Sequence, residues 1–108
     1  MTVTSANRSP AFLAALASSA VPGLDPVSAR AVMASPGAEF DVAFVIDAAD
    51  RQWVVRVPRT PAAGARLESA AALLALVARR LPFQVPLPTG FVVVPEGRAA
   101  VYPYLPGR

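Results

Sequence analysis

The stretch that decides the fold runs Phe40-Asp41-Val42-Ala43-Phe44-Val45-Ile46, then Asp47-Ala48-Ala49-Asp50-Arg51, then Gln52-Trp53-Val54-Val55-Arg56-Val57. Two runs rich in β-branched and aromatic residues flank a short polar turn, which is the pattern of a β-hairpin. Upstream, Pro26 opens Val27-Ser28-Ala29-Arg30-Ala31-Val32, which alternates like a strand, and Ser35-Pro36-Gly37-Ala38 marks a turn. The three segments form an antiparallel meander. Downstream, Pro58 and Pro61 end the third strand. Leu67, Ala71, Leu74, Ala78 and Leu81 then recur at three- and four-residue spacing, predicting a helix over residues 65–81. Arg79 and Arg80 suit the negative end of its dipole, and Pro82 stops it. Pro86 and Pro88 give an extended connector to a strand, Gly90-Phe91-Val92-Val93-Val94. The turn Pro95-Glu96-Gly97-Arg98 leads to a last strand, Ala99-Ala100-Val101-Tyr102. At the other end, Ser9-Pro10 reads as N-cap and first turn of a short helix over 10–20, stopped by Pro22-Gly23. Residues 1–9 are expected to be disordered. The fold class is therefore α+β: a five-stranded antiparallel sheet with one packed helix, plus a short N-terminal helix.

Composition narrows the function. Of 108 residues, 55% are apolar and 16% charged, too apolar for disorder and short of polar surface for a domain standing alone. With no cysteine there is no disulfide or thiolate metal site, and with no histidine the commonest general base is missing. All ten basic side chains are arginine, scattered apart from Arg79-Arg80, and the net charge is only +3, so nucleic-acid binding is not expected. The longest uncharged apolar run, Ala70 to Ala78, falls short of the ~20 residues a membrane span needs. The apolar stretch from Ala11 to Ala17 follows a single charge and is soon broken by Ser18-Ser19, which suits an ordinary helix better than a signal peptide. A cytoplasmic location is expected.

Three strands, a helix, two strands and a Pro-rich exit resemble the small N-terminal lobe of the kinase-like fold. Trp53-Val54-Val55-Arg56-Val57-Pro58-Arg59 resembles the third-strand motif of the aminoglycoside and macrolide phosphotransferase family. Leu67 through Leu74, followed by Arg79-Arg80-Leu81-Pro82-Phe83-Gln84-Val85-Pro86, is similar to the helix and its exit in macrolide 2′-phosphotransferase-like members. Glu39-Phe40-Asp41-Val42-Ala43-Phe44 resembles the second strand, and Tyr102-Pro103-Tyr104-Leu105-Pro106-Gly107 the hinge into a large lobe.

The resemblance implies a small lobe over 10–102 and a hinge or start of a missing large lobe over 103–108. It implies a nucleoside triphosphate, ATP or GTP, as substrate, with Mg2+ bound by the absent large lobe. The turn around 35–39 would cover the phosphates, its backbone amides at Ser35, Gly37 and Ala38 donating to them; an ordinary hairpin turn reads the same way. Arg56 stands where kinases carry the strand lysine that pairs with the α- and β-phosphates, or else is a surface arginine. Val101, Tyr102, Pro103 and Leu105 would turn backbone groups toward the base. No catalytic residue and no metal ligand is expected in this chain. The family's helix carboxylate is missing: its position holds Ala70, and Glu68 lies about 200° away around the helix, where a solvated carboxylate is expected. Val45, Val54, Leu74 and Val92 are candidate apolar neighbours of the nucleotide, or plain core. One sheet face is expected under the 65–81 helix and the other over a nucleotide cleft. A non-catalytic α+β interaction module, or a degenerate remnant without activity, is the alternative.

Overall fold

The computed structural model of the chain describes residues 8–32, 37–82 and 87–104. The element order is α1 (Pro10–Ala20), β1 (Pro26–Val32), β2 (Phe40–Asp47), β3 (Gln52–Pro58), α2 (Pro61–Val77) running into a 3-10 turn (Ala78–Arg80), β4 (Gly90–Val94) and β5 (Gly97–Pro103). The strands form one antiparallel sheet in the order β1-β2-β3-β5-β4.

Both helices start on the same device. The Ser9 hydroxyl accepts from the Phe12 N–H at 3.1 Å with Pro10 in the first turn; the Thr60 hydroxyl accepts from the Ala63 N–H at 3.1 Å with Pro61 in the first turn. Thr60-Pro61 therefore starts α2 four residues before the expected position. At its end α2 tightens into the 3-10 turn instead of continuing to Leu81. Of the segment expected to be disordered, residues 1–7 lie outside the described residues, while Arg8 and Ser9 are held in place.

The faces are distributed differently from the expectation. It is α1, touching all five strands, that covers one face of the sheet. Leu13, Ala14 and Ala17 pack there with Ala43, Val45, Val55, Val57 and Val101 in the core cluster. Helix α2 lies on the opposite face, the one that carries Arg56. Alternation along a strand fixes this: Arg56 pairs with Ala100, Arg98 is two residues along the same strand, and Arg98 is bonded to Glu68 of α2. Only the first half of α2 is buried, through Ala63, Gly64 and Leu67, so Leu73 and Leu76 stay exposed. By length and composition alone Pro61–Arg80 suffices to cross a membrane, which the shorter run Ala70 to Ala78 does not suggest. In the fold its Arg66 and Glu68 pair with Glu39 and Arg98, and Leu67 is buried where α2 meets β3 and β5.

The β2–β3 turn is built on Asp47. Its Oδ1 accepts from the N–H groups of Ala49 (3.0 Å) and Arg51 (2.8 Å), and its Oδ2 from Arg51 Nε (2.8 Å) and Trp53 Nε1 (3.0 Å). Asp50 closes the turn in the left-handed region, at φ 63°. Burial pushes the Asp47 carboxyl up, but the hydrogen bonds from Trp53 and Arg51 outweigh it and hold the group below its ordinary value. A carboxyl lowered on folding stabilises the fold above its unfolded pKa, and that stabilisation fades as pH falls through the folded value. Urea unfolding followed from about pH 6 down to about pH 2 is thus expected to show Asp47→Asn less stable than wild type at the upper end, with the gap closing toward the lower end.

Candidate functional site

The face opposite α1 carries Val42 and Phe44 of β2, Val54 and Arg56 of β3, and Ala100 and Tyr102 of β5, set side by side by the strand registers. Val55 and Val57, which flank Arg56, point to the other face and are fully buried in the α1 core. Of the candidate apolar neighbours, Val54 is on the Arg56 face and Leu74 on α2. Val45 and Val92 are not: Val45 is in the α1 core and Val92 packs against it.

Arg56 is half-buried, and its guanidinium carbon lies 4.3 Å from the centroid of the Phe40 ring. Among the described residues no carboxylate pairs with it. Ala70, at the position of the family's helix carboxylate, is exposed. Glu68 keeps a solvent-exposed side chain, as expected, but it is also paired. Its two oxygens accept from Arg98 Nε and Nη2, both at 2.6 Å, a fork across 30 residues of chain. Those hydrogen bonds hold the Glu68 carboxyl below its ordinary value. Arg98 in turn lies 3.8 Å from the centroid of the Phe91 ring.

The turn over which phosphates were expected is described only from Gly37 onward; Ser35 lies outside the described residues. Gly37 is exposed and in the left-handed region, at φ 81°, and Ala38 is half-buried. Three arginines fix the root of this turn. The Arg59 N–H donates to the Glu39 carbonyl at 2.8 Å, and Arg59 Nε stands 3.7 Å from Asp41. Arg66 of α2 pairs with the Glu39 carboxylate. Arg8, its side chain only 6% exposed, donates to Asp41 (3.3 Å), to the Pro58 carbonyl (2.8 Å) and to Glu96.

At the hinge the ladder decides which backbone groups are free. Tyr104 N–H donates to the Gln52 carbonyl at 2.9 Å, and two residues back Tyr102 pairs with Val54, so residues 102 and 104 turn toward β3. Val101 turns the other way, and its carbonyl accepts from the Thr89 N–H at 2.7 Å. Pro103 also turns away from β3, at a level where β4, which begins opposite Val101, has ended. Of the expected hinge residues, Pro103 thus has its carbonyl on the side of β5 away from β3; Leu105 lies outside the described residues.

Sequence reasoning missed an open cavity of about 390 Å³ at this end, lined by Ser28, Arg30, Phe44, Ile46, Gln52 and Tyr104. Phe44 and Tyr104 meet edge to face with ring centroids 5.3 Å apart, and Arg30 lies 5.5 Å from the Phe44 ring centroid. Period-two alternation puts Phe40, Val42 and Phe44 on one face. That this is the Arg56 face follows only from the register.

Comparison with known proteins identifies this arrangement. The model of the phosphotransferase enzyme family matches residues 32–108. The chain belongs to that family. Two solved structures are similar to this phosphotransferase-family chain. A macrolide 2′-phosphotransferase type I is 31% identical with a TM-score of 0.66, over 98% of this chain and 33% of that one. Macrolide 2′-phosphotransferase MphH from Brachybacterium faecium, as apoenzyme, is 31% identical with a TM-score of 0.68, over 92% of this chain and 32% of that one. The chain spans about one third of the length of these structures. A comparison with curated proteins found no match.

Proposed function

We propose that the chain is the nucleotide-binding small lobe of a small-molecule phosphotransferase that moves the γ-phosphoryl group of ATP or GTP to a hydroxyl. The observation that carries this is a guanidinium, Arg56, that has no carboxylate partner among the described residues and lies on the same sheet face as an open cavity beside the hinge. Arg56 supplies charge to the α- and β-phosphates, Gly37 and Ala38 supply backbone amides from above, and the Pro103 carbonyl accepts from the base.

In the transfer itself the acceptor oxygen bonds to the γ-phosphorus, the bond to the β-phosphate oxygen breaks, and the acceptor proton passes to a base. That base, the Mg2+ ligands and the acceptor site are assigned to a large lobe following residues 103–108. Among the described residues no group of three or more acidic side chains is placed to hold a metal ion, and Glu39, Asp41 and Glu68 are each paired with arginines. A macrolide acceptor is proposed from the similar structures. The proposed setting is the cytoplasm, with no nucleic-acid or membrane partner.

Calorimetric titration of ATP and of GTP into the chain tests this. Binding at about millimolar or tighter is expected for at least one nucleotide, weakened about tenfold or more by Arg56→Ala. Failure of both nucleotides to bind, or equal binding by Arg56→Ala, overturns the proposal in favour of a non-catalytic module, the reading that Ala70 at the carboxylate position would suit.

A further inference from the structure

Three arginines on the same sheet face lie over phenylalanine rings, Arg30 over Phe44, Arg56 over Phe40 and Arg98 over Phe91, and among the described residues Arg98 alone of the three is paired with an acid. Arg98 lies over Phe91 and is forked by Glu68, which ties α2 to β5. Arg56 lies over Phe40 and, among the described residues, meets no carboxylate. The carboxylate that docks the helix is thus spent on β5, and the β3 cation is oriented by an aromatic ring instead.

We propose that Phe40 is a positioning residue for phosphate recognition, taking the place of the absent helix carboxylate; this rests on the nucleotide role proposed for Arg56. Phe40 is the first residue of β2 after the phosphate-covering turn, and its ladder partner is Pro58, two residues beyond Arg56. The contact is therefore the diagonal one across adjacent antiparallel strands, within reach of an aromatic ring. A ring face restrains a guanidinium through its quadrupole and its plane without neutralising the charge. A carboxylate at the same place would compete with phosphate for the guanidinium donors. The ring limits the rotamers of Arg56 without occupying its donors as a carboxylate would, so less side-chain freedom is lost when a triphosphate binds.

The test compares wild type, Phe40→Leu, Phe40→Tyr and Arg56→Ala, with ATP and adenosine as probes. Phe40→Leu is expected to weaken ATP about three- to tenfold and to leave adenosine unchanged. Phe40→Tyr is expected to keep wild-type affinity, and Phe40→Leu to have no further effect when Arg56 is already alanine. The Arg56 Nε–H resonance is expected to carry a ring-current shift that Phe40→Leu abolishes without nucleotide. Unchanged ATP affinity in Phe40→Leu, an equal loss for adenosine, or an undiminished effect in the Arg56→Ala background overturns the assignment. If wild type binds ATP no better than Arg56→Ala does, the nucleotide role of Arg56 itself fails. Persistence of the resonance shift in Phe40→Leu overturns the stacking independently of nucleotide.

Discussion

Leu13→Ala is expected to destabilise the chain by about 3 kcal/mol or more, read as a drop in the urea midpoint at unchanged slope. Leu13 is 1% exposed and packs from α1 into the main core cluster, so truncation leaves a cavity between two rigid layers. A small domain has about 5–15 kcal/mol in all, so this one change removes a large share. The comparison that gives it meaning is Leu76→Ala on α2. Leu76 is 73% exposed, and its loss is expected to change stability by less than about 0.5 kcal/mol. The reverse ranking would mean that α2, not α1, holds the sheet.

Gly64→Ala is expected to cost about 2–3 kcal/mol, opposite in sign to the usual effect of the same change in a helix interior. In an open helix alanine gains about 1 kcal/mol over glycine. Here a Cβ at position 64 would stand 2.2 Å from the Glu96 carbonyl oxygen and 3.3 Å from its carbon. Those are backbone atoms of the β4–β5 turn, so relief requires α2 to lift from the sheet. Lifting α2 would also stretch the fork between Glu68 and Arg98. Ser69→Ala, at an exposed position of the same helix, is the matched control and is expected to be neutral or slightly stabilising. Thermal or urea unfolding of the two variants checks the sign.

The strands were legible because alternation and β-branched runs are local signals, and short turns gave the β1-β2-β3 meander and the β4–β5 hairpin but not the β3–β5 pairing. Helix α2 starts before its apolar spacing begins because Thr60 caps it and Pro61, which by itself reads as a strand end, opens its first turn. The same Ser/Thr-Pro signature starts α1 at Ser9-Pro10. Which helix covers which face was not legible. α1 and α2 are both rich in alanine, and neither carries a sharp apolar stripe that would say which one fills the core. The strand positions of Arg56 and of the hinge residues 101–103 were legible, because each falls in a β-branched or alternating run. Side-chain partners were not: Phe40 meets Arg56 diagonally across two strands, and Glu68 meets Arg98 over 30 residues, contacts that only the register and the seating of α2 create.

The central claim is that the face bearing Arg56, not the face under α1, is where nucleotide binds. Amide NMR spectra of the chain, recorded as ATP or GTP is added to about millimolar concentration, test it most directly. The account predicts saturable shifts at Gly37 and Ala38, at Val42 to Phe44, at Val54 to Arg56 and at Tyr102 and Tyr104. Leu13, Ala14 and Ala17 of α1 are predicted to stay unmoved. Shifts centred on α1, or none anywhere with either nucleotide, would contradict it.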